Sequence, residues 1–481
     1  MRQTERMVSL KIVVCVKEIN CEINPFDECA LECALCFDDA EIHIVSMGRE
    51  RAIDPIKRLS RLGNIKPHLL CDSAFAGSDT LATGYVLSEM IKKTAPDLVI
   101  CGRQSIDGDT GQVGPAISEY LGYSLITNVL EIYKSEGGKI YTRTRVCDES
   151  APYPAVICVD RINTLRFPKI GQKPKEVEVL SASDLGIDTA KCGLKGSPTQ
   201  VVKSFQNEIG KRRCKFIEKE ELAKIISDER AKEKKKTEIK SFDKKLNTVW
   251  AVGKDVLLQA NSIAENVVSF DIPEETDKEA GIGFADMLEQ RLKSEKCDAI
   301  LFPANFWGRK YAPLLQVRLK TGLCADCTFL ETDGNELFMY RPALGGDITA
   351  KIRCNTKPAM ATVRIDSKTE NDVIISVGKG AADKIDLFKS YAEKCGFGFG
   401  VSRPVVDTGK APYDSQIGLT GKNVNPKIYI AIGISGAVQH TCAIEKAGVV
   451  IGINPDKTAR IFSFCDYGIV CTADEILKVL C

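Results

Sequence analysis

Short apolar runs alternate with amphipathic stretches along the whole chain, in a strand–helix rhythm. Residues 11–16 (KIVVCV) read as a buried strand; a helical pattern then opens at Asn24 and Pro25, placed as N-cap and first helical position. A second strand follows in EIHIVSMG, then a helix from Ser78-Asp79-Thr80, the strand DLVICG and a helix from Pro115. Strands alternating with helices predict α/β units with parallel sheets and crossover helices. The pattern then recurs: PDLVICGRQ, LGYSLITNVLEIYKSEGGKIYTRTRV and PAVICVDRI find partners in CDAILFPANFWGRK, TGLCADCTFLETDGNELFMYRPAL and PAMATVRI, residues 121–132 aligning with 321–332 without a gap. Two copies of one domain are expected in tandem. A third α/β unit is expected from DVIISVGKG, FGVSRPVVD, KIYIAIGIS, VVIGINPD and YGIVC. The predicted boundaries are a first nucleotide-binding domain over 1–227, a charged linker over 228–245 (DERAKEKKKTEIKSFDKK), a second α/β domain over 246–366 and a third over 372–481.

Composition narrows the function classes. With 66 basic and 65 acidic residues among 481, no global charge draws the chain to nucleic acid or to a membrane. No run of about 18 apolar residues occurs, which predicts a cytoplasmic protein without membrane insertion. The 20 cysteines are scattered and often lie in apolar runs, where a thiol behaves as a small hydrophobe. Cys29, Cys33 and Cys36 have a spacing that can ligate an iron–sulfur cluster, but on a helix they form one packed face. Cys324 and Cys327 make a lone CxxC, so no metal site is predicted.

The stretch LVICGRQSIDGDTGQVGPAISEYLG carries candidate chemistry. A Gly-Thr-Gly turn entering a helix offers free backbone N–H groups to a phosphate. Thr110 and Gln112 add hydrogen-bonding side chains, and Asp109 can accept from ribose hydroxyls or from backbone amides; a purely structural turn is the alternative. His440, one of three histidines, follows a glycine-rich strand-to-helix turn.

These residues carry a family likeness. GRQSIDGDTGQVGP, with KIVVCVKE, NPFDECALE, VSMG and ASDLGID, resembles the small (beta) subunit of electron-transfer flavoproteins. GRKYAPLLQVRLKTGLCADCT with PALGGDITAKI is similar to the N-terminal domain of the large (alpha) subunit, and residues 402–470 are similar to its FAD-binding domain. The resemblance spans nearly the whole chain and implies a beta–alpha fusion: two related nucleotide-binding α/β domains and a C-terminal FAD-binding α/β domain. It places His440 beside the N1/O2 edge of the flavin, Arg403 over the ring and Thr420 near N5. Ser435, Gly436, Ala437 and Gln439 match contacts to the pyrophosphate and ribityl chain, Ser402, Gln416 and Gly418 the wall, and Asn454 and Asp466 the adenosine end. Pro455 stands where the family usually has lysine, and Leu419 where it often has glutamine.

In the beta-like half the resemblance assigns Cys15, Ser46, Gly48, Asp109, Thr110, Gly111, Gln112, Val113 and Gly114 to a nucleotide. The form of the loop, together with FAGSDTLAT, resembles the electron-bifurcating branch, whose beta site holds a second FAD; a structural AMP is the alternative, leaving a simple one-FAD carrier. Phe75, Gly77, Asp79 and Thr80 would lie in the NADH region. The implied partners are ferredoxin or flavodoxin and an acyl-CoA dehydrogenase-like flavoprotein. The family's partner-recognition loop is shortened here to LRFPKIGQKPKEVEV, with Ile170 as its one apolar anchor candidate, and a hinge is expected over 366–371.

Overall fold

The computed structural model describes residues 10–206, 212–232, 242–273, 278–343, 348–365, 371–418 and 421–480. The chain divides into two compact units. Among the described residues no helix is long and apolar enough to cross a membrane, and no group of three His, Cys, Asp or Glu side chains could hold a metal ion.

The N-terminal unit comprises the described residues up to 204, with 242–343 and 350–363. Its main sheet has nine strands in the order Glu178–Leu180, Ile65–Leu70, Glu41–Met47, Lys11–Cys15, Leu98–Gly102, Ala155–Val159, Ser124–Glu136, Lys139–Thr144, Asp148–Pro152. The first seven run parallel. Lys11–Cys15 pairs on one side with the next strand of this sheet along the chain and on the other with one that arrives later. This is the point where strand order reverses, and in open α/β sheets ligands bind outside the carboxyl ends of the strands at such a point.

The tandem repeat reappears as topology. The second copy forms a five-stranded parallel sheet in the order Ala264–Phe270, Leu246–Val252, Ala299–Pro303, Ala359–Val363, Leu323–Cys327. That order matches Glu41–Met47, Lys11–Cys15, Leu98–Gly102, Ala155–Val159 and Ser124–Glu136 of the first copy. A buried ion pair, Lys310 Nζ to Glu149 Oε2 at 3.0 Å, joins the copies.

The C-terminal unit contains the described residues 205–206, 212–232, 348–349, 364–365, 371–418 and 421–480. Its six strands, all parallel, run Lys215–Phe216, Tyr467–Ile469, Val449–Ile453, Ile428–Ile432, Val373–Val377, Gly398–Val401. The order reverses between Val373–Val377 and Ile428–Ile432. A boundary at 227 is therefore corrected to one near 204: Lys215–Phe216 extends this sheet, and Leu222 and Ile226 pack into its core with Ile375, Phe388 and Leu477. Glu229, expected in a solvated linker, is buried and accepts from Lys232 Nζ at 2.6 Å and from the Tyr467 hydroxyl at 3.3 Å. Residues 233–241 of the expected linker and 366–370 of the expected hinge lie outside the described residues.

Candidate functional site

Apart from Asp466, the described candidate residues of each unit gather toward the carboxyl ends of its parallel strands. In the N-terminal unit Cys15 and Cys101 are register partners at the switch point, and Cys158 continues the row on the next strand. The helix Val113–Leu121 meets this row through Gly114: a Cβ there would come within 3.0 Å of the Cys158 sulfur, so only glycine allows the approach. Between strand and helix, Asp109 (φ 50°) and Gly111 (φ 65°) turn the loop through left-handed conformations. Gln104 Nε2 donates to Asp109 Oδ1 at 2.8 Å, Lys17 Nζ pairs with Asp107 at 2.7 Å, and Arg341 Nη2 donates to the Gly108 carbonyl at 2.6 Å. Thr110 and Val113 are half-buried at its end. Ser46 is fully buried with no hydrogen-bond partner for its hydroxyl among the described residues, and the Gly48 N–H donates to Leu70 O.

Several side chains expected to meet a ligand are engaged by the protein itself. Gln112 is buried, accepts from the Thr80 hydroxyl at 2.6 Å and donates to Leu323 O at 3.4 Å, so it joins the two copies. Asp79 caps the helix Thr80–Thr94, its Oδ1 accepting from the Leu81 and Ala82 amides while Oδ2 accepts from the amide and hydroxyl of Thr199. Phe75 is core, and the Leu194 side chain lies against Gly77 (φ 76°). Asn24 occupies the expected N-cap position without capping; its amide donates to Gln104 O at 2.9 Å, and its Oδ1 accepts from Ile106 N at 3.3 Å.

Asp27 is the group that sequence reasoning missed. It lies in the first turn of Pro25–Ala34, buried against the ends of the two central strands, and accepts from the Lys17 amide at 2.8 Å. A Cβ on Gly102 would come within 3.0 Å of its Oδ1. Burial pushes its carboxyl up to about 7, against the Lys17 amide, Asn24 and the Lys17 charge. The available signal was the acidic second residue after Asn-Pro, in the helix that follows the first strand.

In the C-terminal unit Ser402, Gly433–Gly436 and Asn454 each follow a strand end. Gly433 (φ 63°) and Gly378 bring the two switch-point strands together backbone to backbone: a Cβ on Gly378 would lie within 3.0 Å of Gly433 O. Ser435, Ala437 and Gln439 are exposed along the turn, and Asn454 Nδ2 donates to Ile434 O at 3.1 Å. Ser402 and Gln416 are buried, and Gly418 runs against the Gln439 backbone. Arg403 forms an ion pair with Asp407 at 3.4 Å. Thr420 lies outside the described residues.

Asp466 is corrected. It precedes its strand, accepts from Val450 N at 2.8 Å and from Arg212, and so belongs to the amino ends of the strands, a strand length away from the turn.

His440 is buried on the short helix Val438–Thr441. Its Nε2 lies 2.8 Å from the Tyr429 hydroxyl, and its buried Nδ1 makes no well-formed hydrogen bond among the described residues. A buried orphan nitrogen beside a glycine-built turn at a switch point fits a flavin edge. Burial pushes His440 down to about 4, with the Ile417 backbone opposing. The ring is neutral at pH 7, and the stability this confers is complete above the unfolded value of 6.5 and is lost as pH falls toward 4. The C-terminal unit is expected to lose about 2 kcal/mol from this group between pH 6.5 and 5, and His440→Gln to flatten that limb in urea titrations. An unchanged slope would show that the histidine is accessible to protons in the fold.

Comparison with known proteins agrees with this layout. The family model for the electron transfer flavoprotein domain matches residues 12–185 and 251–387, once in each copy, and that for the electron transfer flavoprotein FAD-binding domain matches 368–445. The chain is 37% identical over 244 residues to the electron transfer flavoprotein subunit alpha of Thermoanaerobacterium thermosaccharolyticum (41% of this chain, 74% of the relative). It is 41% identical over 202 residues to subunit beta of Megasphaera elsdenii (38% and 74%). It is also 34% identical over 242 residues to the lactate dehydrogenase (NAD(+),ferredoxin) subunit LctC of Acetobacterium woodii (41% and 58%).

Proposed function

Because the chain belongs to the electron transfer flavoprotein family, with its beta and alpha subunits fused in one polypeptide, we propose that it is the electron-bifurcating form. In this reading it takes hydride from NADH and divides the two electrons between a low-potential acceptor, ferredoxin or flavodoxin, and an acyl-CoA dehydrogenase-like partner. The observation that carries the reading is the loop 107–115, which resembles that of the bifurcating branch and stands at the switch point where a second FAD would sit. The relative whose name joins NAD(+) with ferredoxin supports it.

Bound FAD would supply the chemistry, since a flavin can take up a hydride and pass its electrons on singly. The chain's residues bind and orient it. In the C-terminal unit the 433–437 backbone and Asn454 shape the phosphate-side turn, Arg403 brings a cation to the ring, and His440 offers a neutral imidazole to the edge where negative charge gathers. In the N-terminal unit the backbone of 108–114 holds the second nucleotide. Asp79, Thr80 and Gln112 act there as braces: their hydrogen bonds set the loop's shape, and the nucleotide meets main chain. Phe167 and Ile170, 94% and 106% exposed, stand on the segment between Arg166, paired with Glu32, and Lys175, paired with Ser60 and Asn64. They are the proposed anchors for the partner dehydrogenase.

The test is the nucleotide content of the denatured full chain after FAD has been added back. Two FAD per chain, bleached by NADH, are expected. One FAD with one AMP and no response to NADH would make the chain a simple electron carrier instead.

A further inference from the structure

Tyr429 lies in the strand Ile428–Ile432, fully buried, with its hydroxyl 2.8 Å from His440 Nε2. The two rings are tilted by 50° with centroids 6.1 Å apart, so they meet through the hydroxyl rather than by stacking. One proton lies between the phenol oxygen and Nε2, and there are two ways to place it. If Nε2 carries it, the phenol proton needs another acceptor. The neighbouring hydroxyl is that of Ser376, buried on the adjacent strand and without a well-formed hydrogen bond of its own, and Nδ1 is left bare. If the phenol donates to Nε2, its proton is satisfied and Nδ1 carries an N–H. The second arrangement makes Nδ1 a buried donor without a well-formed hydrogen bond among the described residues, and it is still the favoured one, because a phenol is the stronger donor and an imidazole nitrogen the stronger acceptor. Burial also pushes the Tyr429 phenol up, so it keeps its proton at neutral pH.

We infer that Tyr429 is a positioning residue: by donating to Nε2 it fixes His440 as the Nδ1–H tautomer, so that a neutral imidazole presents one oriented N–H to the FAD ring. The inference rests on the reading above that the turn 433–440 lines the FAD site. A neutral donor held this way favours negative charge beside it without first placing an isolated cation in the interior. The strand thereby contributes to redox tuning through a residue that reads in sequence as one more apolar-run aromatic.

The test is nitrogen NMR of the full chain labelled at its three histidines, with the His440 signals assigned by His440→Asn. At neutral pH the wild type, with or without flavin, is expected to show a protonated Nδ1 and a bare Nε2. Tyr429→Phe, which keeps the ring and removes the hydroxyl, is expected to shift His440 toward a mixture with Nε2–H and to lower the midpoint potential of the bound flavin. Ser376→Ala is expected to leave the tautomer in place. An Nε2–H wild type would overturn the inference, and that spectrum decides it even where Tyr429→Phe does not fold. A folded Tyr429→Phe protein with bound flavin and unchanged tautomer and potential would overturn it as well. Failure of the wild-type chain to bind FAD at all would instead sink the reading of the site, since the tautomer is measurable without the cofactor.

Discussion

Replacing Gly436 by alanine is expected to abolish FAD retention by the C-terminal unit and to cost about 3–4 kcal/mol of its stability. The residue sits at φ 89°, where a side chain is strained, and its Cβ would come within 3.0 Å of the backbone at Arg460 and Ile461. No rotamer change relieves a collision with main chain. Relief would require moving Ile461, whose amide donates to Ser435 O at 3.0 Å and whose side chain is fully buried. The turn offered to the cofactor and the wall behind it thus share one hydrogen bond, so the substitution damages both. Ser435→Ala, on the same turn but exposed, is the control for stability alone and should lie within about 0.5 kcal/mol of wild type in its urea midpoint. Flavin absorbance per chain after gel filtration, with urea midpoints, reads both effects; a fully flavinated Gly436→Ala protein with an unshifted midpoint would show that the turn can move.

The strands and their parallel arrangement were legible because central strands of such sheets, covered on both faces, read as unbroken apolar runs: KIVVCV, LVICG, AVICV and IYIAI are all wholly or nearly wholly buried. The repeat was legible for the same reason, since each copy uses the same strand order around the same switch point. What resisted reading depends on partners distant in sequence. Gln112 and Asp79 look like ligand groups in isolation; they become braces only when Leu323 and Thr199 fold against them. Residues 205–232 looked like the tail of the first domain because a two-residue edge strand and a short amphipathic helix carry no sign of which sheet they will join. Asp466 matched a motif by order, but a motif does not say which end of a strand a residue occupies. Tyr429 was hidden inside an apolar run, where a phenol and a phenylalanine look alike.

Asp27→Asn is expected to remove a pH-dependent loss of stability of about 4 kcal/mol that the wild-type N-terminal unit undergoes between pH 4 and 7. The folded carboxyl titrates near 7 and the unfolded one near 3.8, so between these values the folded chain holds a proton that the unfolded chain has released. The contribution is therefore complete below the unfolded value and gone above the folded one, the opposite direction to His440 in the other unit. Asparagine keeps the shape and an acceptor for the Lys17 amide but cannot ionise. The stability difference between variant and wild type should consequently change by about 3 kcal/mol between pH 5 and pH 8 in urea titrations; a constant difference would mean that Asp27 stays ionised in the fold. The same proton bears on nucleotide binding, because the carboxyl lies at Gly102, where the loop toward Gly114 begins. Ionised, it sets a buried negative charge behind the backbone amides offered to phosphate; protonated, it does not. Nucleotide should thus bind the wild-type N-terminal unit more tightly at pH 6 than at pH 8, and Asp27→Asn should bind it equally well at both.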